Sequence, residues 1–599
     1  MPQLIEDYAL IGNNATCALV GRNGSIDWLS FPRFDSAACF AGLLGSDKDG
    51  HWTIAPMHDY PRVKRQYRKG TLILETEFTT DEGSVLLTDC MDRRGEHQDV
   101  IRVVRGVRGR VPMRMELVIR FDYATIIPWV SRLDDGRLRA IAGPDQVVIH
   151  SSVETRGEDL KTVASFDVDE GEVLAFSITW TSSFSALPKP FDAVQTLENV
   201  SRSWERWSSK HKPKGEYADI VQRSLITLKA LTHHETGGIV AAPTTSLPEG
   251  IGGERNWDYR YCWLRDSTLT LFALMESGFT DEAKAWREWM LRAVAGSPDR
   301  MQIMYGVAAE RRLTEFELPE LAGYEGSSPV RIGNAASEQL QLDVYGEVLD
   351  SFYHARKKGL PKLEAAWNLE RSLISRLEDL WTKPDKGMWE IRGKPRHFVQ
   401  SKVMVWVAVD RAIRTIEEFG EEGPLERWVR WRNQIRSEIL RFGFSTELNS
   451  FVQYYGSKEL DASLLMLPQV GFIAADDPRM LGTVAAIEKH LMPDGFVARY
   501  NTDSSVDGLS GDEGVFIACS FWLVDNYVMQ NRMAEARQLF ERLLGLQNDV
   551  GLLAEEYDPK ERRQLGNFPQ ALSHIALVNS AHNLTAHHEE KPAHQRSCR

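Results

Sequence analysis

Cysteine is scarce. The six in 599 residues (Cys17, Cys39, Cys90, Cys262, Cys519 and Cys598) are far apart and form no CxxC pair. That spacing argues against a disulfide frame or a zinc knuckle and for reduced thiols. No apolar run approaches the roughly 20 residues that span a bilayer. The start, MPQLIEDYAL, carries acids where a secretory signal carries a basic segment and an apolar run, so a cytoplasmic protein is expected. Positive charge is in the minority, with 71 Lys+Arg against 85 Asp+Glu, a net charge of −14 and a pI ≈ 5.6. This excludes electrostatic attraction to nucleic acid or anionic membrane as an organising function. No cluster of His, Cys and acids has metal-ligand spacing. What remains is a small uncharged partner for a folded protein, and 43% hydrophobic and 26% charged residues are ordinary for one.

The length exceeds what one core serves, which predicts two or more domains. The first third is β-rich. TLILETEFTT, SVLLTDCMD, VIRVVRGVRG, MRMELVIRF and VLAFSITWT are short runs, several alternating apolar with polar residues and punctuated by Gly, Asp and Pro. They predict an antiparallel β-sandwich over residues 1–195. DAVQTLENVSRSWERWSSKH reads as a helix leading out of it, with a linker helix at 196–216. From Tyr217 the period turns helical, and about a dozen helices follow over 217–588, SLLMLPQVG among them. Paired helices in that number fit an (α/α)6 barrel better than a four-helix bundle. Residues 589–599 close the chain as a polar, frayed tail.

The loops of the helical half are richer than connections require. NWDYRYCWLRDS (Asn256–Ser267) holds four rings, Trp257, Tyr259, Tyr261 and Trp263, and four charges, Asp258, Arg260, Arg265 and Asp266. GYEGSSPVRIGN, DKGMWEIRG and LLAEEYD add more of the same mixture. A pyranose asks for both kinds of group: its C–H faces stack on aromatic rings, and its hydroxyls need Asp, Arg and backbone partners. Cleaving a glycosidic bond further needs one protonated and one ionised carboxyl. Glu390 in MWEIRG is the candidate acid, because an indole wall at Trp389 would desolvate it and raise its pKa. Glu555 in LLAEEYD is the candidate base, with Glu556 its rival. Asp266 is placed either to bind or to cap the following helix, where the dipole favours an acid.

Taken in order, IEDYALIGNNATCALVGRNGSIDWLSFPRFDS, NWDYRYCWLRDS, PVRIGNAASEQLQLDVYGEVLD, GMWEIRG, SKVMVWVAVDRAI, GLLAEEYDP and LGNFPQALSHIALVNSA resemble glycoside hydrolase family 15, in its bacterial trehalase-like branch, over nearly the whole chain. The resemblance implies a β-sandwich followed by an (α/α)6 barrel and an inverting mechanism. It puts the general acid on Glu390 and the general base on Glu555, with Glu556 where glucoamylases usually have Gln. It places Arg265 and Asp266 on the hydroxyls of the non-reducing glucose, with Tyr259 and Trp263 as walls. Trp389 stands beside the acid and Arg499 of VARYNTD is a second sugar-binding arginine. The GYEGSSPVRIGN loop, with Arg331 and Asn334, should cover the aglycone side. Asn567 and His574 read as structural.

The expected activity is therefore inverting, exo-acting hydrolysis of an α-glucoside, α,α-trehalose first. Maltose-, isomaltose- or dextrin-like substrates come second, and a phosphorylase or a non-catalytic sugar-binding protein stands further off. The chemistry requires no cofactor. Some enzymes resembling this branch depend on phosphate and magnesium, and no residue here marks such a site. Homo-oligomerisation is left open.

Overall fold

The computed structural model describes residues 2–57, 61–210, 214–502, 506–509 and 511–586. The tail read as frayed lies outside them. The N-terminal region is antiparallel throughout, in a sheet of 15 strands. Its spine is the strand His97–Val118, which first pairs with Gly83–Arg94 and Val173–Ser182, then with Lys161–Asp169 and His51–Pro56. Two runs expected as separate strands, VIRVVRGVRG and MRMELVIRF, are thus one strand that changes partners along its length. Leu74–Thr79 shows the expected period of two, with Leu74, Thr76 and Phe78 buried.

Among the described residues, twelve α-helices follow: α1 (Ala193–Ser208), α2 (Ala218–Ala230), α3 (Leu264–Glu276), α4 (Asp281–Ala293), α5 (Asp343–Lys357), α6 (Glu364–Leu380), α7 (Val399–Phe419), α8 (Leu425–Phe442), α9 (Pro478–His490), α10 (Ile517–Met529), α11 (Met533–Leu544) and α12 (Ala571–Ala586). SLLMLPQVG, expected as a full helix, forms only the 3₁₀ segment Ala462–Met466, and the chain turns before Pro468, which cannot donate to continue a helix. Packing closes a cycle: α3 touches α5, α5 touches α7, α7 touches the 3₁₀ segment, that segment touches α10, α10 touches α12, and α12 returns to α3. The remaining helices lie outside this ring. α1 packs on the sheet, α2 on α12, α4 on α3, α6 between α5 and α7, α8 on α7, α9 on the 3₁₀ segment and α11 on α10.

Composition sorts inner from outer. α10, IACSFWLVDNYVM, is buried from Ile517 to Val528 and must sit in the interior. α8 buries only Trp428, Trp431, Ile435 and Ile439, a stripe at helical spacing that serves one covered face.

Asp258 and Arg260, two charges of the aromatic stretch, join this half of the chain to loops of the N-terminal region. Both are fully buried. Arg260 grips Asp258 at 2.9 and 2.7 Å, then reaches the carbonyl of Ser36 at 2.8 Å and the Tyr123 hydroxyl at 2.8 Å. Asp258 in turn accepts from the backbone N–H of Gly333 at 3.2 Å. Removing one partner of such a pair leaves a buried charge uncompensated, at about 3–5 kcal/mol. Arg260→Met is accordingly expected to lower the urea midpoint far more than the double variant Arg260→Met/Asp258→Asn, as equilibrium unfolding will show.

Candidate active site

The lining segments share one position in the chain: each lies just before an inner helix or in its first turn. Trp257, Tyr259, Trp263, Arg265 and Asp266 precede or open α3, and Asn334 and Ala336 precede α5. Met388, Trp389, Glu390, Ile391 and Arg392 precede α7, while Arg499, Tyr500, Asp507 and Phe516 precede α10. Glu555 and Gln570 precede α12. The ring therefore gathers loops distant in sequence around one pocket.

Glu390 occupies one wall. Its backbone is left-handed, with φ 58°, a conformation a non-glycine residue adopts at a cost of order 1 kcal/mol. It is held there by its own N–H on the carbonyl of Gly387 at 3.2 Å and by the Gln339 side-chain amide, which donates to the Glu390 carbonyl at 3.2 Å. The indole N–H of Trp263 donates to Glu390 Oε1 at 2.6 Å, and the Arg265 guanidinium lies 3.6 Å from the same oxygen. Burial pushes the carboxyl above its ordinary pKa, while Arg265 and the Trp263 hydrogen bond pull the other way. The indole expected beside the acid is thus Trp263. Trp389, its chain neighbour, turns aside to donate to Asp461 at 2.9 Å and to pack against Phe516 and Trp522, while still lining the pocket.

Arg265 is fixed by the carbonyl of Met388 at 2.5 Å and by Asp266 at 3.1 Å. Asp266 does not cap α3. The helix begins at Leu264, earlier than expected, with Trp263 at the cap position and no side-chain capping bond. Asp266 therefore falls inside the first turn, where the helix dipole still favours it. Tyr259 meets Trp263 edge to face at 5.1 Å.

Glu555 faces the same pocket and is 1% exposed. Its Oε2 accepts from the backbone N–H of Asn567 at 3.3 Å. A Cβ on Gly566 would stand 2.7 Å from that oxygen, so only glycine fits under the carboxylate. Burial drives this carboxyl up, Glu249 adds to the rise, and Arg499 opposes it. Asn567 also donates to the carbonyl of Trp257 at 2.9 Å, tying the two loops together. His574 is fully buried, between the backbone N–H of Leu553 and the Ser224 hydroxyl, and desolvation lowers its pKa to about 3.

Arg499 lines the pocket, with Nε and Nη2 bound to Glu513 and Glu249 and Glu556 close by. Glu249, Glu513 and Glu556 converge as a metal site would, yet their common centre is occupied by this guanidinium. Arg331, expected near the aglycone, lies over the Trp257 ring at 4.6 Å, as does Arg392. Several lining residues escape sequence reasoning, Glu249, Arg255 and Asp507 among them. A lone Glu in SLPEG carries no signal of its own beyond its nearness to the aromatic stretch.

The family model described as glycosyl hydrolases family 15 matches residues 215–582, and one described as trehalase-like, N-terminal, matches residues 1–171. The chain is 36% identical over 621 residues to a trehalase of Mycobacterium tuberculosis, covering 98% of this chain and 90% of that one. It is 36% identical over 592 residues to a trehalase of Thermoplasma volcanium, covering 97% and 93%. In structure it matches a bacterial glucoamylase complexed with acarbose at TM-score 0.70, 13% identity, and coverage of 97% of this chain and 94% of the other. At that identity the likeness is one of fold.

Proposed function

Because the chain belongs to glycosyl hydrolase family 15 and is a glycoside hydrolase, we propose that it is an inverting, exo-acting α-glucosidase whose substrate is α,α-trehalose. The architecture that goes with this reading is a β-sandwich over 1–195, a linker helix at 196–216 and an (α/α)6 barrel over 217–588. The closed cycle of inner helices supports the barrel. The observation that carries the chemistry is that Glu390 and Glu555, on loops before α7 and α12, line one pocket, Glu390 beside the Trp263 indole and Arg265 and Glu555 on the Asn567 N–H.

Glu390 is the general acid. Burial raises its pKa, which favours the protonated form, and the Trp263 indole holds it in place. It gives its proton to the glycosidic oxygen as the bond to the anomeric carbon breaks. Glu555 is the general base, taking a proton from the water that attacks that carbon from the opposite face. Arg265 and Asp266 hold hydroxyls of the cleaved glucose between Tyr259 and Trp263, while Trp389 and Arg499 complete the wall. Trehalose is favoured over maltose and isomaltose because the likeness to trehalases runs through both halves of the chain. The reaction needs no cofactor.

Time-resolved NMR on trehalose, maltose and isomaltose tests this. Inversion at one glucose of trehalose yields β-glucose from the cleaved ring and α-glucose from the leaving one, in equal initial amounts. Two α-glucoses would rule out inversion. Glucose from maltose or isomaltose but none from trehalose would replace the substrate, and glucose 1-phosphate formed in phosphate buffer would replace the reaction.

A further inference from the structure

Five carboxyls and two guanidiniums meet around the wall that carries Glu555. Arg499 donates to Glu249 at 2.7 Å and to Glu513 at 2.8 and 2.6 Å, and lies 3.3 Å from Glu556. Arg255 donates to Asp507 at 2.7 Å and to Glu513 at 3.1 Å, and the Tyr500 hydroxyl donates to Asp507 at 3.1 Å. Glu555 is the chain neighbour of Glu556. The backbone fixes their spacing. The N–H of Gly566, the glycine pressed against Glu555, donates to the carbonyl of Pro248 at 2.8 Å, one residue before Glu249.

Fully ionised, this buried group would carry five negative charges against two positive. Two like charges about 4 Å apart repel by about 4 kcal/mol at an effective dielectric near 20, so the group retains protons. The hydrogen bonds indicate where. Glu249, Glu513 and Asp507 accept from guanidiniums. Glu556 is 0% exposed, and neither of its oxygens has a hydrogen-bond partner among the described residues. A carboxyl so placed is the natural holder of a proton.

We propose that Glu249 is a positioning residue for Glu555, remaining ionised beside it and clamping Arg499, while Glu556 carries the cluster's proton, so that together they set the pH below which Glu555 ceases to act as a base. This rests on Glu555 being the base. The groups facing Glu555 are Glu249, Glu556, Arg499, the Tyr259 hydroxyl and the backbone N–H of Asn567, and burial with the Glu249 charge pushes it upward.

The sign follows from the base acting ionised: kcat/KM falls as pH drops through its pKa. Taking away the Glu249 charge lowers that pKa, so the acidic limb moves to lower pH. The experiment is kcat/KM against pH on whichever α-glucoside the enzyme hydrolyses. Glu249→Gln is expected to move the acidic limb down by about one unit. Glu249→Asp, which keeps the charge, should leave it in place. Glu556→Gln, exchanging one neutral group for another, should move it by less than about 0.3 unit, a factor of about two in the ionised fraction. Glu513→Gln, a second variant should Glu249→Gln not fold, moves the limb down by a smaller amount. An unmoved limb in Glu249→Gln overturns the proposal, as does a Glu556→Gln shift as large as that expected of Glu249→Gln. Loss of turnover in Glu556→Gln with turnover kept in Glu555→Gln marks the separate failure of the base assignment.

Discussion

Glu390→Gln is expected to lower kcat on trehalose by about 10²–10⁴-fold, the usual worth of a positioned general acid. The amide keeps the shape and still accepts from the Trp263 indole, so KM should change little. The loss is in the proton. A glucose leaving group is a poor one unless its oxygen is protonated as the bond breaks. α-Glucosyl fluoride needs no such help, and its hydrolysis by Glu390→Gln should stay within about tenfold of wild type, well inside the loss on trehalose. Equal losses on both substrates would show that Glu390 serves binding or structure. The pH profile gives a second check. The acid works protonated, so activity falls as pH rises through its pKa. Burial raises that pKa and carries the basic limb upward, and the limb should be absent from the variant's profile.

Much of the frame that holds these carboxyls is legible in the amino-acid sequence. The helical half is legible because amphipathic spacing survives wherever a helix buries one face, as the stripe of α8 does. The sheet is less legible at its start. Tyr8–Gly12, Cys17–Gly21 and Ser25–Ser30 are buried at every position, so no alternation marks them. The long strand His97–Val118 reads as two because Gly106, Gly109 and Pro112 interrupt its texture. In the fold they fall where the strand passes from one set of partners to the other.

At the site, residues of strong chemical character in clustered motifs stand out: Glu390, Glu555, Arg265, Trp263. Which indole meets the acid does not. Glu390 has a left-handed backbone, and the indole that reaches it is Trp263, 127 residues earlier. Asp258 and Arg260 have no role in the sequence because their partners, Ser36 and Tyr123, lie on loops of the N-terminal region, far away in the chain. Glu249 is silent for the same reason: its meaning lies in Arg499 and Glu555, both more than two hundred residues away.

The second large effect falls on Glu555→Ala, expected to cost about 10²–10⁴-fold in kcat, or about 3–5 kcal/mol of barrier. Here the leaving group should make no difference. Water must lose a proton to attack the anomeric carbon whether glucose or fluoride departs, so the variant should lose the same factor on trehalose and on α-glucosyl fluoride. That contrast with Glu390→Gln separates the two carboxyls by role. Azide carries its charge already and needs no base. Entering the space vacated by the side chain, it should restore turnover of the fluoride and give β-glucosyl azide, the inverted product, detectable by NMR. Rescue is expected because Gly566, without a side chain, does not fill the space that Glu555 vacates, and the Asn567 N–H remains to receive an anion. Retained fluoride hydrolysis in Glu555→Ala, with loss in Glu556→Ala, would instead move the base to the neighbouring carboxyl. The structure argues against that reading: Glu556 lies on the strand Glu556–Asp558, between Val515–Phe516 and Arg563–Leu565, with Arg499 at 3.3 Å, and it is Glu555 that lines the pocket.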